Sequence, residues 1–461
     1  MLLPVIASLV PFVMLASMAA AQPGDNGSAD VATALTSDRF HFSDDQLRGL
    51  ADILLAESPL VSSAWARSRS SFERVPQDLS LPDPRISYRY FAETPETRVG
   101  PQEHMLELSQ ALPWTGKRRL QAERSHNVAA SRTWEAEDLE RRLVAQLKRA
   151  YFGVAYMQEA LRVNREEQEI LRRFESIALT RYATGQGIQQ NVVKVQTEIS
   201  RLGDRETELR ERLDVALRRI SALIGRSDVK LSIRPIRLPL PDVVYDREDL
   251  EAFALSGHPR VNAVERKIEA DRTWTRRREL ETKPDFRVGL GYTSVGRRDD
   301  LAGTISPPEE NGKDILTLTA GVNIPIFRKR IRAGVAEARE SERANQELLS
   351  AVQDGLRFEI QEALLQAESL SERAGLYLEV IIPQAEESLA SAEAAYTTDR
   401  LGFLDLLDAE RVLFQSRLAY HRLVSDLWIA LAGLEESTAR PFPSVPQEER
   451  AGVTPETGIR P

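Results

Sequence analysis

Leu112-Pro113-Trp114-Thr115-Gly116-Lys117-Arg118 and Ile324-Pro325-Ile326-Phe327-Arg328-Lys329-Arg330 share one plan. Each has an apolar residue, a proline, a short turn, and then a basic run that opens a long helical pattern. Three more anchors recur in the same order. Ser58-Pro59-Leu60-Val61 is answered by His258-Pro259-Arg260-Val261, Pro84 by Pro284, and Tyr182-Ala183-Thr184-Gly185 by Tyr396-Thr397-Thr398-Asp399. The spacing drifts only from 200 residues at Pro59/Pro259 to 214 at Tyr182/Tyr396. The chain is therefore an internal duplication. The halves run over residues 41–232 and 248–436, joined by a proline-punctuated linker at 233–247.

Upstream of each quoted stretch lie alternating runs. Ile86, Tyr88 and Tyr90 alternate with Arg85, Ser87 and Arg89, and Leu106, Leu108 and Leu112 with Glu107, Ser109 and Ala111. Phe286, Val288, Leu290 and Tyr292 alternate with Arg287, Gly289 and Gly291, and Leu316, Leu318, Val322 and Ile324 with Thr317, Thr319 and Asn323. A period of two with one apolar and one polar face fits barrel strands between lipid and water. It also fits two half-buried hairpins. Trp114, Tyr90 and Tyr292 are candidates for aromatics at a membrane interface, or for plain packing residues.

Downstream, no proline occurs between Pro113 and Pro235. Leu139, Leu143, Leu147, Ala150, Val154, Met157 and Leu161 recur at steps of three and four, which predicts a helix from about Lys117 to Ile177, roughly 90 Å long. The second half repeats the pattern with Leu349, Val352, Leu356, Ile360 and Leu364, and a kink is expected at Pro383. Helices of this length call for coiled-coil-like packing. Four strands cannot close a barrel, whose smallest membrane examples need about eight. A membrane reading therefore demands an oligomer.

The first 21 residues carry no charged side chain and end in Ala19-Ala20-Ala21, as a signal peptide does, with a retained anchor as the alternative. Residues 22–40 read as a flexible segment and 437–461 as a disordered proline-rich tail. The absence of cysteine removes disulfides, thiol chemistry and a cysteine-linked lipid. A net charge of −9 argues against a nucleic-acid partner. No nucleophile elbow, phosphate loop or metalloprotease pair is present, so no enzyme is expected. The five histidines are scattered without ligand spacing, and neither a metal site nor a cofactor is expected.

The segments Tyr182–Gln196 and Tyr396–Glu410, each a tyrosine and turn leading into a helix start, resemble the helix-turn-helix tips of the TolC-like outer-membrane efflux family. The resemblance covers roughly residues 41–436, and Gln110–Arg118 is similar to its branch associated with heavy-metal exporters. It implies a mainly α fold with a β-barrel portion: a long α-helical barrel, plus four transmembrane β-strands per protomer in a twelve-stranded barrel shared by a homotrimer. It further implies a passive outer-membrane channel of a tripartite efflux system that extends into the periplasm. Its partners would be outer-membrane lipid, a periplasmic adaptor (membrane fusion) protein and an inner-membrane pump, for which the resistance-nodulation-division type is the candidate. A soluble periplasmic coiled-coil adaptor or scaffold is the rival.

Asp405 and Asp408 are three apart on one helix face. They read either as a solvated acidic first turn or, in a trimer, as a ring of carboxylates. The family carries entrance aspartates at these positions. Asn191 stands where the family often has aspartate and is expected to bond Tyr396 in the closed state. Leu401 replaces a gate-latching arginine of some members. Gly185, Gly187, Asp399 and Gly402 fall at the turns that would contact the adaptor, with Asp399 in place of the family's glycine; helix termination explains the glycines equally well.

Overall fold

The computed structural model describes residue 40 and residues 42–441. The expected signal peptide, nearly all of the 22–40 segment and most of the tail lie outside the described residues.

Three short helices open the chain: α1 (Asp45–Glu57), α2 (Pro59–Phe72) and α3 (Arg74–Leu79). The strands β1 (Arg85–Tyr90), β2 (Glu96–Thr97) and β3 (Gly100–Leu112) follow, then the helices α4 (Lys117–Ala183) and α5 (Gln189–Leu223). The second half repeats this order. Helices α6 (Arg247–Gly257) and α7 (Pro259–Glu279) precede β4 (Asp285–Val295), a short α8 (Leu301–Ile305) and β5 (Ile315–Asn323). Then come α9 (Arg328–Leu376), α10 (Ile382–Thr397) and α11 (Phe403–Thr438). The repeated Pro59 and Pro259 each sit in the first turn of a helix, where the missing N–H costs nothing. At 67 residues α4 runs about 100 Å and outlasts its expected end at Ile177.

Helical hydrogen bonding runs on through Pro383, where a kink is expected. A π-helical turn at Tyr377–Ile381 precedes it, with the Ile382 N–H bonded to the Tyr377 carbonyl. The wider turn accommodates the proline ring and its lost donor, so the helix continues from α9 into α10. The linker after α5 is extended and strapped down. Gln158 donates to the Ile233 carbonyl at 3.2 Å and accepts from the Ile236 N–H at 2.9 Å, while Trp428 Nε1 reaches the Pro239 carbonyl at 2.9 Å. Ile233 and Ile236 join a core with Leu147, Tyr151, Phe152, Ile220 and Trp428, which packs α1, α4, α5 and α11 together at mid-length.

The two hairpins are one sheet. The order is β1-β3-β4-β5, all antiparallel, and β3 pairs with β4 across the repeats. Directly paired residues share a face, so the register decides what each face is made of. Tyr88, Leu106, Tyr292 and Leu316 form one rung; Ile86, Leu108, Leu290 and Leu318 form the next; Leu112, Phe286 and Val322 lie beyond. Nearly all of these are exposed, Leu318 at 83%. The opposite face carries Ser87, Glu107, Gly291 and Thr317 in one rung and Arg85, Ser109, Gly289 and Thr319 in another. Nothing among the described residues covers the apolar face, as it would be covered in half-buried hairpins. Among the described residues no helix is long and apolar enough to cross a membrane.

The aromatics divide between the two ends of the sheet. Trp114 sits where the chain enters α4, its N–H bonded to Asp285 at 2.7 Å and its ring 6.1 Å from Phe286. Tyr90 packs on His104 at 5.4 Å, and the Tyr292 hydroxyl donates to Asp314, both at the loop end.

Candidate functional site at the hairpin tips

At the far end of the helices the turns α4–α5 and α10–α11 lie side by side over a shared core that includes Leu171, Phe174, Val195, Leu389, Tyr396 and Phe403. The turns are built alike. Gly185 (φ 76°) and Asp399 (φ 61°) both adopt the left-handed conformation. The next residue's N–H reaches back in each case, from Gln186 to the Arg181 carbonyl at 2.8 Å and from Arg400 to Ala395 at 2.9 Å. This is a helix C-cap that glycine enters freely and aspartate enters at a cost of roughly 1 kcal/mol. The Asp399 carboxylate offsets part of that cost by accepting from Arg181 Nη1 at 3.1 Å. Asp399 is 82% exposed, so the pair contributes at most about 1 kcal/mol. It nevertheless ties one hairpin tip to the other.

Arg181 also covers Tyr396, with its guanidinium carbon 4.5 Å from the ring centroid. Tyr396 is buried, its ring 5.6 Å from that of Phe403. Among the described residues it makes no hydrogen bond to Asn191, which sits half-buried in the first turn of α5. Within the chain it is Arg181 that lies against the Tyr396 ring. Gly187 is crowded, since a Cβ there would come within 3.2 Å of Arg181 Cβ and the Tyr182 nitrogen. Gly402 caps α11, and a Cβ would stand 3.0 Å from Asp405 Oδ2.

Asp405 and Asp408 are exposed while Leu406 and Leu407 between them are buried. Among the described residues neither carboxylate has an ion-pair or hydrogen-bond partner. Their shared outward face is the one the spacing predicts.

A second acidic group went unpredicted. Glu410 continues the buried stripe of Leu406, Leu413 and Phe414, is 3% exposed, and keeps Oε1 without a partner. Burial, reinforced by the charge of Glu167, pushes its carboxyl up to about 8. Burial likewise pushes Glu167 up to about 7. Arg411 stands close but gives its hydrogen bond to Glu198, at 3.2 Å. The acids here are not all solvated; a glutamate at a core phase of the helix was the missed signal. A raised carboxyl is protonated and harmless below its ordinary value near 4.5. Its cost grows as the pH rises toward 8 and is complete above that. Glu410→Gln should therefore stabilise the protein by about 2 kcal/mol at alkaline pH and by almost nothing near pH 4.5. Thermal unfolding across that range checks this, and a pH-independent difference would refute it.

No protein-family model matches the chain. The cobalt-zinc-cadmium resistance protein CzcC of Cupriavidus metallidurans is 22% identical over 307 residues, covering 64% of this chain and 67% of that protein. Among solved structures, the outer membrane protein VceC of Vibrio cholerae matches with a TM-score of 0.70 at 16% identity, over 87% of this chain and 98% of that one. The open-state outer membrane channel MtrE of Neisseria gonorrhoeae matches with a TM-score of 0.69 at 18% identity, over 87% and 90% of the two chains. The chain has the fold of these TolC-like outer-membrane channels, the family its turn segments resemble.

Proposed function

We propose that the chain is one third of an outer-membrane efflux duct that conducts small molecules or ions passively from periplasm to exterior. One observation carries this reading: among the described residues the sheet path β1-β3-β4-β5, with β2 paired to β3 beside it, has an uncovered apolar face and two unpaired edges, on β1 and β5. In lipid an open edge is untenable, so β5 of one copy must pair with β1 of the next until the ring closes. Two copies would give eight strands and an interior filled by side chains. Three give twelve and leave a watery lumen for the polar face. Exposed Val215, Phe358 and Leu365 along the helices would be covered by the neighbouring copies.

Membrane fractionation and a particle mass in detergent test the assembly. An outer-membrane particle of three chains is expected, and a soluble monomer would overturn the reading. The turns around Gly185, Gly187, Asp399 and Gly402 would meet a periplasmic adaptor and, through it, a pump in the inner membrane that selects the cargo.

At the tip, three copies would set six carboxylates of Asp405 and Asp408 around the opening, a ring that attracts cations. Tilting the α10–α11 pair away from α4–α5 would widen it, against the Arg181–Asp399 tie. Asp405→Ala/Asp408→Ala should lower cation preference severalfold in planar bilayers. Arg181→Ala should raise the closed-state conductance while leaving the preference intact. Indistinguishable selectivity in the double variant would remove the ring from the mechanism, and an unchanged conductance in Arg181→Ala would remove the tie.

A further inference from the structure

We propose that Arg328, Lys329, Arg330 and Arg332 bind the headgroups of anionic phospholipids at the periplasmic rim of the barrel, an inference that rests on the membrane reading above. The apolar face of the sheet ends at the rung Leu112–Phe286–Val322. Beyond Asn323 the chain leaves the sheet through Ile324, Ile326 and Phe327, each 68% exposed, which carry the apolar surface past the last rung. The next residues are the basic run, with all four cations exposed. Residues 328–332 rise only about 6 Å along α9. An apolar trio followed at once by a cationic turn matches the step from acyl chains to headgroups.

Several other cations of the rim are paired within the chain, although exposed Arg119 in the matching turn of the first repeat is not. Lys117 pairs with Asp285, Arg276 with Glu123, and Arg277 and Arg278 with Glu281. Among the described residues Arg328, Lys329, Arg330 and Arg332 have no acidic partner. Three of them stand in the first turn of α9, where the backbone dipole disfavours positive charge. Among the described residues nothing offsets the charge of the cluster, and an anionic surface outside the protein would. Guanidinium groups suit a phosphodiester, which accepts their paired N–H donors side by side. Each basic side chain near an anionic surface is expected to strengthen binding about fivefold.

The test reconstitutes the full chain in phosphatidylcholine vesicles with and without phosphatidylglycerol, extracts it in neutral detergent, and counts retained phospholipid by native mass spectrometry. Wild type should retain phosphatidylglycerol over phosphatidylcholine by about tenfold or more, and salt should reduce the excess. The variant Arg328→Gln/Lys329→Gln/Arg330→Gln/Arg332→Gln should lose the excess, and Arg328→Lys/Arg330→Lys/Arg332→Lys should keep most of it. Equal retention of the two lipids by wild type overturns the proposal, and so does an undiminished excess in the glutamine variant. A glutamine variant that extracts only as monomers overturns it too, by assigning the cluster to acids of a neighbouring copy. Wild type that enters neither kind of vesicle is a different result, the failure of the membrane reading itself.

Discussion

Leu318→Lys should abolish recovery of the protein from membranes, while Thr319→Lys, one residue along the same strand, should leave it in place. Leu318 lies in the rung with Ile86, Leu108 and Leu290, and Thr319 in the rung with Arg85, Ser109 and Gly289. A lysine facing lipid near the bilayer midplane costs about 2–4 kcal/mol, and a threefold assembly would meet that cost three times. A lysine on the opposite face would stand in water. Gly289 leaves space beside it, since a Cβ there would come within 2.4 Å of Thr319 Oγ1. The contrast has diagnostic force because a soluble protein predicts otherwise. For a side chain already 83% exposed to water, Leu318→Lys would be harmless. Recovery of assembled protein from the membrane fraction, variant against variant, decides between the two. Equal recovery would remove the barrel from the proposed function.

What could be read in advance follows the length scale of each signal. The strands were legible because alternation is local, and the long helices because an apolar stripe at steps of three and four repeats over many turns. The duplication was legible from ordered anchors such as Pro59/Pro259. The β3–β4 pairing was not visible in the alternation, since it joins residues such as Leu108 and Leu290 that local periodicity does not relate. The π turn before Pro383 escaped for a related reason. A proline announces a lost hydrogen bond but not how neighbouring turns absorb it.

At the tip, Asp405 and Asp408 lie on the expected exposed face, because spacing within a helix fixes relative direction. Arg181 and Glu410 were missed because their roles depend on what lies across from them. Arg181 meets Asp399 of the other repeat. Glu410 occupies a core phase whose depth is set by the packing of α4 and α5. Arg181 serves both turns at once: it covers Tyr396 and binds the carboxylate of Asp399.

Lys148→Met should destabilise the protein by about 3–5 kcal/mol, and Lys148→Met/Glu435→Leu should regain most of that loss. Lys148 and Glu435 are 3% and 5% exposed and bond directly, joining α4 to α11 across the mid-length core. Lys148 also lies 5.0 Å from the ring of Phe42. Burial pulls the lysine pKa down while the charge and hydrogen bond of Glu435 hold it up, so the buried lysine depends on the glutamate. Removing the cation alone takes away the charge that faces the buried carboxylate, whereas removing both replaces a desolvated pair with apolar contact. A double-mutant cycle on unfolding free energies measures the coupling, and a value near zero would show that water reaches the pair. The position of the pair bears on gating. With α1, the linker and α11 fastened to α4 at mid-length, the helices cannot slide there. Under the proposed gating, movement that widens the tip would bend or tilt the segments beyond it, where burial of Glu410 and Glu167 weakens the core.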